Sequence, residues 1–294
     1  MRSLLKSGLR RLVHTTPQAP QRPPRPRGQR RATVIAVAAQ KGGVGKTTTS
    51  VNLAAALAQK HGLRVLLVDL DPQGHVGAAL SARIQAGGGA LSDVLTAAPQ
   101  SGQEVLDIVT PTEVAGLDVT PVDPNLNAAE NLLGTRIGKE FVLREALEVT
   151  RTWYDVIVVD CPPNLGNLAL NGLVAADAVL IPCDPSPLAL SGVHAIIDAI
   201  RAVAGRLNPD IDVLGILFTR VDGRNTTLNQ AMRAEIEEVY GDALLPMHIG
   251  INSSLSKAQH AGRDIFDFDP SSRGAEQYGA LAEHVTSLLG RDPA

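Results

Sequence analysis

Short runs of aliphatic residues mark the chain at 33–39, 64–68, 156–159, 179–181 and 213–218, apolar at nearly every position rather than at alternate ones. Runs of that length and uniformity predict strands buried on both faces, as in a parallel sheet covered by helices. Between and after them, apolar residues recur at helical spacing over 47–59, 139–150, 188–206, 227–240 and 274–289. Strand alternating with helix predicts an α/β fold, a doubly wound, mostly parallel sheet with helices on both faces. Residues 81–102, rich in Gly, Ala and Ser, carry neither period and are expected to form a surface excursion.

Composition supports that class and narrows the setting. Hydrophobic residues make up 44% of the 294 and aromatics only 3%, so the core is expected to be interleaved aliphatic side chains. No uncharged apolar run reaches the roughly 20 residues that cross a bilayer, which predicts a soluble, cytoplasmic protein with no membrane partner. Cys161 and Cys183 lack the paired spacing of zinc, redox or iron–sulfur sites and suit a reducing compartment. The net charge of -3 is unevenly spread, because residues 1–31 hold nine Lys and Arg with no acid, leaving -12 on the rest. Pro17, Pro20, Pro23, Pro24 and Pro26 deny the second half of that stretch a regular helix. The expected organisation is a basic, disordered Pro/Arg-rich tail over 1–31, one globular domain over 32–290 and a C-terminal tail over 291–294. The basic tail reads as a solvated arm, an upstream start, a contact for DNA phosphates or an Arg-rich targeting segment.

Chemistry enters at Gln40-Lys41-Gly42-Gly43-Val44-Gly45-Lys46-Thr47-Thr48, where the first strand gives way to the first helix. Glycines let successive backbone N–H groups turn inward around an anion, and the following helix N-terminus adds partial positive charge. That context and spacing predict a phosphate loop. Lys46 is placed to reach β and γ phosphates, the Thr47 hydroxyl to ligate magnesium and Thr48 to approach the α-phosphate, so ATP and Mg2+ are the implied ligands. The strand at 64–68 runs into Asp69-Leu70-Asp71, and the one at 156–159 into Asp160-Cys161-Pro162-Pro163. Both deliver carboxylates to the carboxyl edge of the sheet, where ligands bind in such folds. Asp69 is expected to be structural, and Asp160 taken alone also reads as an ordinary cap.

The loop departs from the ordinary pattern, with Gln40 at the first glycine position and Lys41 preceding the two glycines. In this it resembles the deviant Walker A loop of the ParA/MinD superfamily, whose members dimerise around two ATP molecules. The resemblance implies that residues Lys41, Gly42, Gly43, Val44, Gly45, Lys46, Thr47 and Thr48 bind the nucleotide, with Lys41 reaching that of the opposite subunit like an arginine finger. It further implies that Asp71 positions the attacking water and that Asp160 holds magnesium through water. The likeness covers roughly residues 33–289 and is closest to the chromosomal ParA branch, also called Soj. It is carried by Asp71-Pro72-Gln73-Gly74, Asp160-Cys161-Pro162-Pro163-Asn164-Leu165-Gly166, Ala189-Leu190-Ser191-Gly192, Leu255-Ser256-Lys257-Ala258 and the segment from Asp269 to Glu276.

That branch implies slow hydrolysis of ATP to ADP and phosphate, stimulated by a ParB-like activator. It also implies an ATP-bound homodimer that holds double-stranded DNA without sequence preference, on the nucleoid, in chromosome or plasmid segregation. Arg201 and Arg224 match the family's DNA-contacting residues by position, and Arg220 and Lys257 are candidate extensions of that surface; cations suffice for contact with phosphates. The chain differs from the family at Gly250-Ile251-Asn252, where Pro-Arg-Asn is usual, at Asp184 in place of Gln, and at His75 in place of Asn. The first two differences fall near the expected base-binding region, to which Asn252 is assigned, and His75 is read as a polar loop residue.

Two alternatives stay in view. A MinD-like, membrane-associated ATPase would carry a basic amphipathic C-terminal helix, and residues 283–294 lack the basic face. A nucleoid-based ATPase that positions a protein cargo would use the same nucleotide cycle. Iron–sulfur carriers that share the loop need paired cysteines, and a larger plasmid-type repressor would need a helix-turn-helix domain that a tail with five prolines is not expected to supply.

Overall fold

A computed structural model describes residues 31–290 apart from 86 and 99–101. The readings of the basic tail up to residue 30 and of the C-terminal four residues lie outside the described residues. Eight strands form one sheet: β1 (Thr33–Val37), β2 (Val65–Asp69), β3 (Thr110–Pro111), β4 (Leu117–Val119), β5 (Val156–Asp160), β6 (Ala178–Cys183), β7 (Asp212–Val221) and β8 (Leu244–Gly250). Their order is β3-β4-β2-β5-β1-β6-β7-β8, with β3 antiparallel to β4 and every other pair parallel.

The uniform aliphatic runs have a simple cause. Consecutive side chains of a strand point to opposite faces, and here both faces are covered. Val34, Ala36, Leu66, Val68, Ile157 and Val159 enter one buried cluster, with residues of the helices Asn167–Ala175 and Ala189–Arg206. Ile35, Val37, Val65, Leu67, Val156 and Val158 enter the other, with residues of the helices Lys46–His61 and Arg273–Leu288. The helix Lys46–His61 contributes Ala54, Ala55, Ala56 and Ala58 to that packing, small side chains that let it lie close to the sheet and to its neighbour. It stops at Gly62, whose φ of 61° no ordinary residue adopts freely and whose N–H satisfies the carbonyl of Leu57.

Two expectations are corrected. The helix read at 139–150 is broken into a 3-10 turn at Lys139–Phe141, a short helix at Val142–Ala146 and a second 3-10 turn at Thr150–Thr152. Buried Asn171 accounts for the first break, since its amide donates to the Lys139 carbonyl at 2.8 Å and its oxygen accepts from Leu143 N–H at 3.1 Å, replacing helical partners. Within 81–102, residues Leu91–Thr96 form a helix that buries Leu91, Val94 and Leu95, and Ile84 bridges Thr112, so this stretch is not purely a surface excursion. Strands β3, β4 and β8 lie at or next to the sheet edges, where the apolar pattern is weaker.

At the amino end of the central strands, Asp177 accepts from Val34 N–H at 2.7 Å and from the Arg151 guanidinium at 2.8 Å. Arg151 also donates to the Ala175 carbonyl at 3.1 Å, which ties the entry of β1 to the turn before β6. No helix among the described residues is long and apolar enough to cross a membrane.

Candidate nucleotide site

The carboxyl edge of the sheet opens into a cavity of about 470 Å³ between the 42–48 loop on one side and residues 249–259 on the other. Strand β1, flanked by β5 and β6, sits where the strand order turns back, and the crevice beside such a strand is the expected ligand site. After β1 the chain runs through the glycine loop into the helix that begins at Lys46. Gly43 and Gly45 hold φ values of 76° and 85°, left-handed conformations that aim the loop backbone at the cavity. Lys46 is buried there and donates to the Lys41 carbonyl at 3.2 Å. Burial lowers its pKa, and the nearby Asp160 and Asp71 carboxylates oppose that shift.

Register brings the acids together. Asp69 of β2 and Val37 of β1 both pair with Asp160 at the end of β5. Asp160 accepts from Thr47 Oγ1 at 2.7 Å and from Ser50 Oγ at 2.8 Å. Burial pushes its pKa up to about 6, against the pull of those hydroxyls and of Lys46. Asp69 is structural, as expected: it accepts from Asp71 N–H at 3.0 Å and Val76 N–H at 3.1 Å, and burial raises its pKa well above the usual range. The turn it holds presents Asp71 on the cavity wall, where Asp71 accepts from Gln73 N–H at 3.0 Å.

Thr47 and Asp160 supply two hard oxygen donors at hydrogen-bond distance beside the loop, a set that suits Mg2+ arriving with phosphate oxygens. Among the described residues no group of three or more His, Cys, Asp and Glu forms a metal site of its own. Both cysteines are buried, and burial raises their pKa values, that of Cys183 to about 12, which disfavours the thiolate form.

The remaining site residues fall into three places. Gly42, Thr48 and Asn252 line the cavity, Val44 is buried behind it, and Asn252 uses its side-chain oxygen to cap the helix Ser253–His260 through Ser254 N–H at 2.8 Å. Lys41 lies outside the cavity: its ammonium donates to both Asp184 oxygens at 2.9 and 2.8 Å and to Ser186 Oγ at 3.1 Å. Asp184 thus sits against Lys41 and does not line this cavity, and His75 begins the helix His75–Ala79 on the cavity wall instead of lying in a loop. Arg201 pairs with Asp198 at 2.9 Å, Arg224 is clasped by Asp222 at 2.8 Å, and Lys257 is exposed on the helix Ser253–His260. Arg220 is apart from them, on the cavity wall with its guanidinium donating to the Gly43 carbonyl at 3.0 Å. Sequence gave no sign of the Lys41–Asp184 contact, although adjacent strands β1 and β6 carry both residues just past their ends.

Comparison with known proteins agrees with this arrangement. Residues 32–213 match the family described as an AAA domain. The chain is 41% identical over 254 residues to the sporulation initiation inhibitor protein Soj of Bacillus subtilis, covering 86% of this chain and 98% of that protein. It is 39% identical over 259 residues to the chromosome partitioning protein ParA of Myxococcus xanthus, 88% of each chain. Among solved structures, the cobyrinic acid a,c-diamide synthase of Mycobacterium smegmatis with bound ADP and magnesium matches with a TM-score of 0.68 at 33% identity, over 86% of this chain and 93% of that one. Such identity runs far beyond the phosphate loop, across most of the chain, and makes it a member of the ParA/Soj family of P-loop partitioning ATPases.

Proposed function

We propose that the chain hydrolyses ATP to ADP and phosphate in a Mg2+-dependent cycle that switches a homodimer on and off nonspecific double-stranded DNA. A ParB-like partner accelerates the hydrolysis, and the protein works on the nucleoid. The observation that carries this reading is the separation of the two loop lysines. Lys46 is buried and faces the cavity of its own subunit, whereas Lys41 points out of it, 38% exposed and held by Asp184. A cation in that position is poorly placed for the nucleotide beside it and available to one presented by a second subunit.

In this reading Lys46 and the loop N–H groups neutralise the polyphosphate, and Asp71 orients the water that attacks it. Magnesium, held at Thr47 and through water at Asp160, would offset charge on the phosphate oxygens. Lys41 adds a second cation where negative charge develops during transfer, so hydrolysis and dimerisation depend on one another. Asn252, which lines the cavity, is assigned to contact with the base. Arg201, Arg224 and Lys257 supply contacts for DNA phosphates, which need charge and no base reading.

The test is binding to random-sequence duplex DNA with ATP, ADP or no nucleotide, over a range of salt, for the native chain, Lys41→Ala and a chain lacking residues 1–31. Binding that requires ATP and vanishes in Lys41→Ala supports the switch. Binding indifferent to nucleotide and lost with the tail refutes it. Arg224→Ala should weaken ATP-dependent binding for all sequences alike and lower the salt slope by about one.

A further inference from the structure

Among the described residues, glycines apart, only Arg220 has a φ in the left-handed region, 54°. Such a backbone is unfavourable for a residue with a Cβ, and it persists where the surroundings over-determine it, commonly at functional sites. Those surroundings are visible on both sides. Thr219 directs its hydroxyl to the Val44 carbonyl at 2.6 Å, with the Cys183 carbonyl at 3.1 Å. The Val221 carbonyl accepts from Ile251 N–H at 3.0 Å. Arg220 is therefore pinned between the phosphate loop and the 250–252 segment, at the end of β7.

Its side chain leans over the loop, donates to the Gly43 carbonyl at 3.0 Å and lines the same cavity as Lys46, Thr47 and Asp71. Arg201 and Arg224 each face a carboxylate, but no carboxylate pairs with Arg220 among the described residues. A guanidinium offers five N–H donors, and Gly43 occupies one. The rest are available at a cavity already built to hold anions.

We propose that Arg220 is a nucleotide-binding residue that contacts the polyphosphate of the ATP held by its own subunit, and is not part of the DNA surface. A planar guanidinium next to the middle of a phosphate loop matches phosphate oxygens in geometry and charge. Ile251, Asn252 and Tyr278 line the same cavity without contributing a charge. The assignment rests on ATP occupying this cavity and is independent of the DNA switch.

The experiment uses the full chain, Arg220→Asn, which removes the charge while tolerating left-handed φ, and Arg220→Lys, which restores the charge. Affinity for MgADP is measured by titration calorimetry, and Mg-tripolyphosphate is used to displace a fluorescent ADP analogue. Melting without nucleotide reports folding. Losing a charge-assisted contact should weaken MgADP and tripolyphosphate roughly tenfold to hundredfold in Arg220→Asn, with partial recovery in Arg220→Lys. Unchanged MgADP affinity in both variants would overturn the assignment, as would a loss confined to MgADP and absent for tripolyphosphate, which would place the contact on the nucleoside. If the native chain itself fails to bind MgADP, the ATP reading falls first and this assignment with it. DNA affinity at saturating ATP should be unchanged in both variants, and a drop there with nucleotide affinity intact would return Arg220 to the DNA surface.

Discussion

Asp184→Asn keeps the shape of the side chain that holds Lys41 and removes its charge, and the structure sets the size of the consequence. The Lys41 ammonium is 2.9 and 2.8 Å from the Asp184 oxygens and 3.1 Å from Ser186 Oγ. Two unit charges about 4 Å apart attract by about 4 kcal/mol at an effective dielectric near ~20. With the side chains 38% and 24% exposed, solvent screening and lost hydration offset most of that. A net of about 1 kcal/mol is the appropriate figure for so open a pair. If Lys41 serves the opposite subunit, closing a symmetric dimer breaks two such pairs. Removing both in advance should favour the dimer by about 2 kcal/mol, roughly thirtyfold in its association constant. Sedimentation velocity with MgATP would measure this, in an Asp71→Ala background that slows hydrolysis. The Asp184→Asn chain should reach half-dimer at roughly thirtyfold lower concentration, stay monomeric without nucleotide, and lose part of its advantage as salt rises. A dimer no tighter than the parent, or weaker, would refute the idea that Asp184 restrains Lys41 and would make it a supporter of the closed state.

Other consequences follow from the same contacts. Burial holds the Asp160 pKa at about 6, above its ordinary 3.8, so between those values the folded, ligand-free protein keeps a proton that the unfolded chain has released. Stability therefore falls as pH rises from 3.8 to about 6, and Asp160→Asn should flatten that slope in thermal melts. The same variant should raise the ligand-free melting temperature near neutral pH and lose the magnesium-dependent part of stabilisation by ADP. Ser50 can still donate to the Lys46 carbonyl at 3.1 Å when one acceptor is lost, so the fold should survive. Asp177→Ala strips the acceptor from Val34 N–H and leaves the Arg151 guanidinium without its carboxylate. It should cost about 2 kcal/mol, seen as a lower denaturant midpoint with an unchanged slope. Gly45→Ala forces a Cβ onto a φ of 85° at the start of the loop helix. It should destabilise by about 1–2 kcal/mol and weaken MgADP binding at least about tenfold, checked by calorimetry and circular dichroism.

What could be read from sequence, and what could not, divides along physical lines. β1, β2 and β5 are covered on both faces, so nearly every residue is apolar and each run announces itself. β8 is an edge strand containing Pro246, the partly exposed Met247 and the exposed His248, because a strand paired on one side only tolerates a residue without an N–H. β4 is three residues long and carries Asp118, which accepts from the Tyr154 hydroxyl at 2.8 Å, so polarity hides it. The break in the 139–150 helix is caused by Asn171, a residue distant in sequence that no local period can report. The phosphate loop was legible because its glycines and Lys46 perform local backbone chemistry that fixes their spacing. Lys41 and Asp184 are 143 residues apart and meet only because β1 and β6 are neighbours. Arg220 read as a surface cation because nothing in its residue type signals a left-handed turn, and its contact with Gly43 spans 177 residues.

These long-range contacts converge on one short segment. At the end of β7, Thr219 is bonded to Val44 in the phosphate loop and to Cys183, the residue before Asp184. Arg220 is bonded to Gly43, Val221 to Ile251 in the 250–252 segment, and Asp222 clasps Arg224 at 2.8 Å. Four successive residues therefore touch the phosphate loop, the strand that leads to the Lys41 restraint, the 250–252 segment and the candidate DNA loop. Contiguity of this kind does not by itself establish coupling, which requires an element with two arrangements that both ligands bias. The Asp222–Arg224 clasp is a candidate for that element, because Arg224 is 88% exposed and a DNA phosphate would compete with Asp222 for the same guanidinium. Coupling through it has a reciprocal signature: whatever factor ATP adds to DNA affinity, DNA must add to ATP affinity. Asp222→Ala frees Arg224 in every nucleotide state, so it should raise DNA affinity without ATP and shrink both factors equally. A variant that raised DNA affinity while leaving the ATP dependence intact would place the switch in the dimer alone and leave the end of β7 as a mechanical support for the loop.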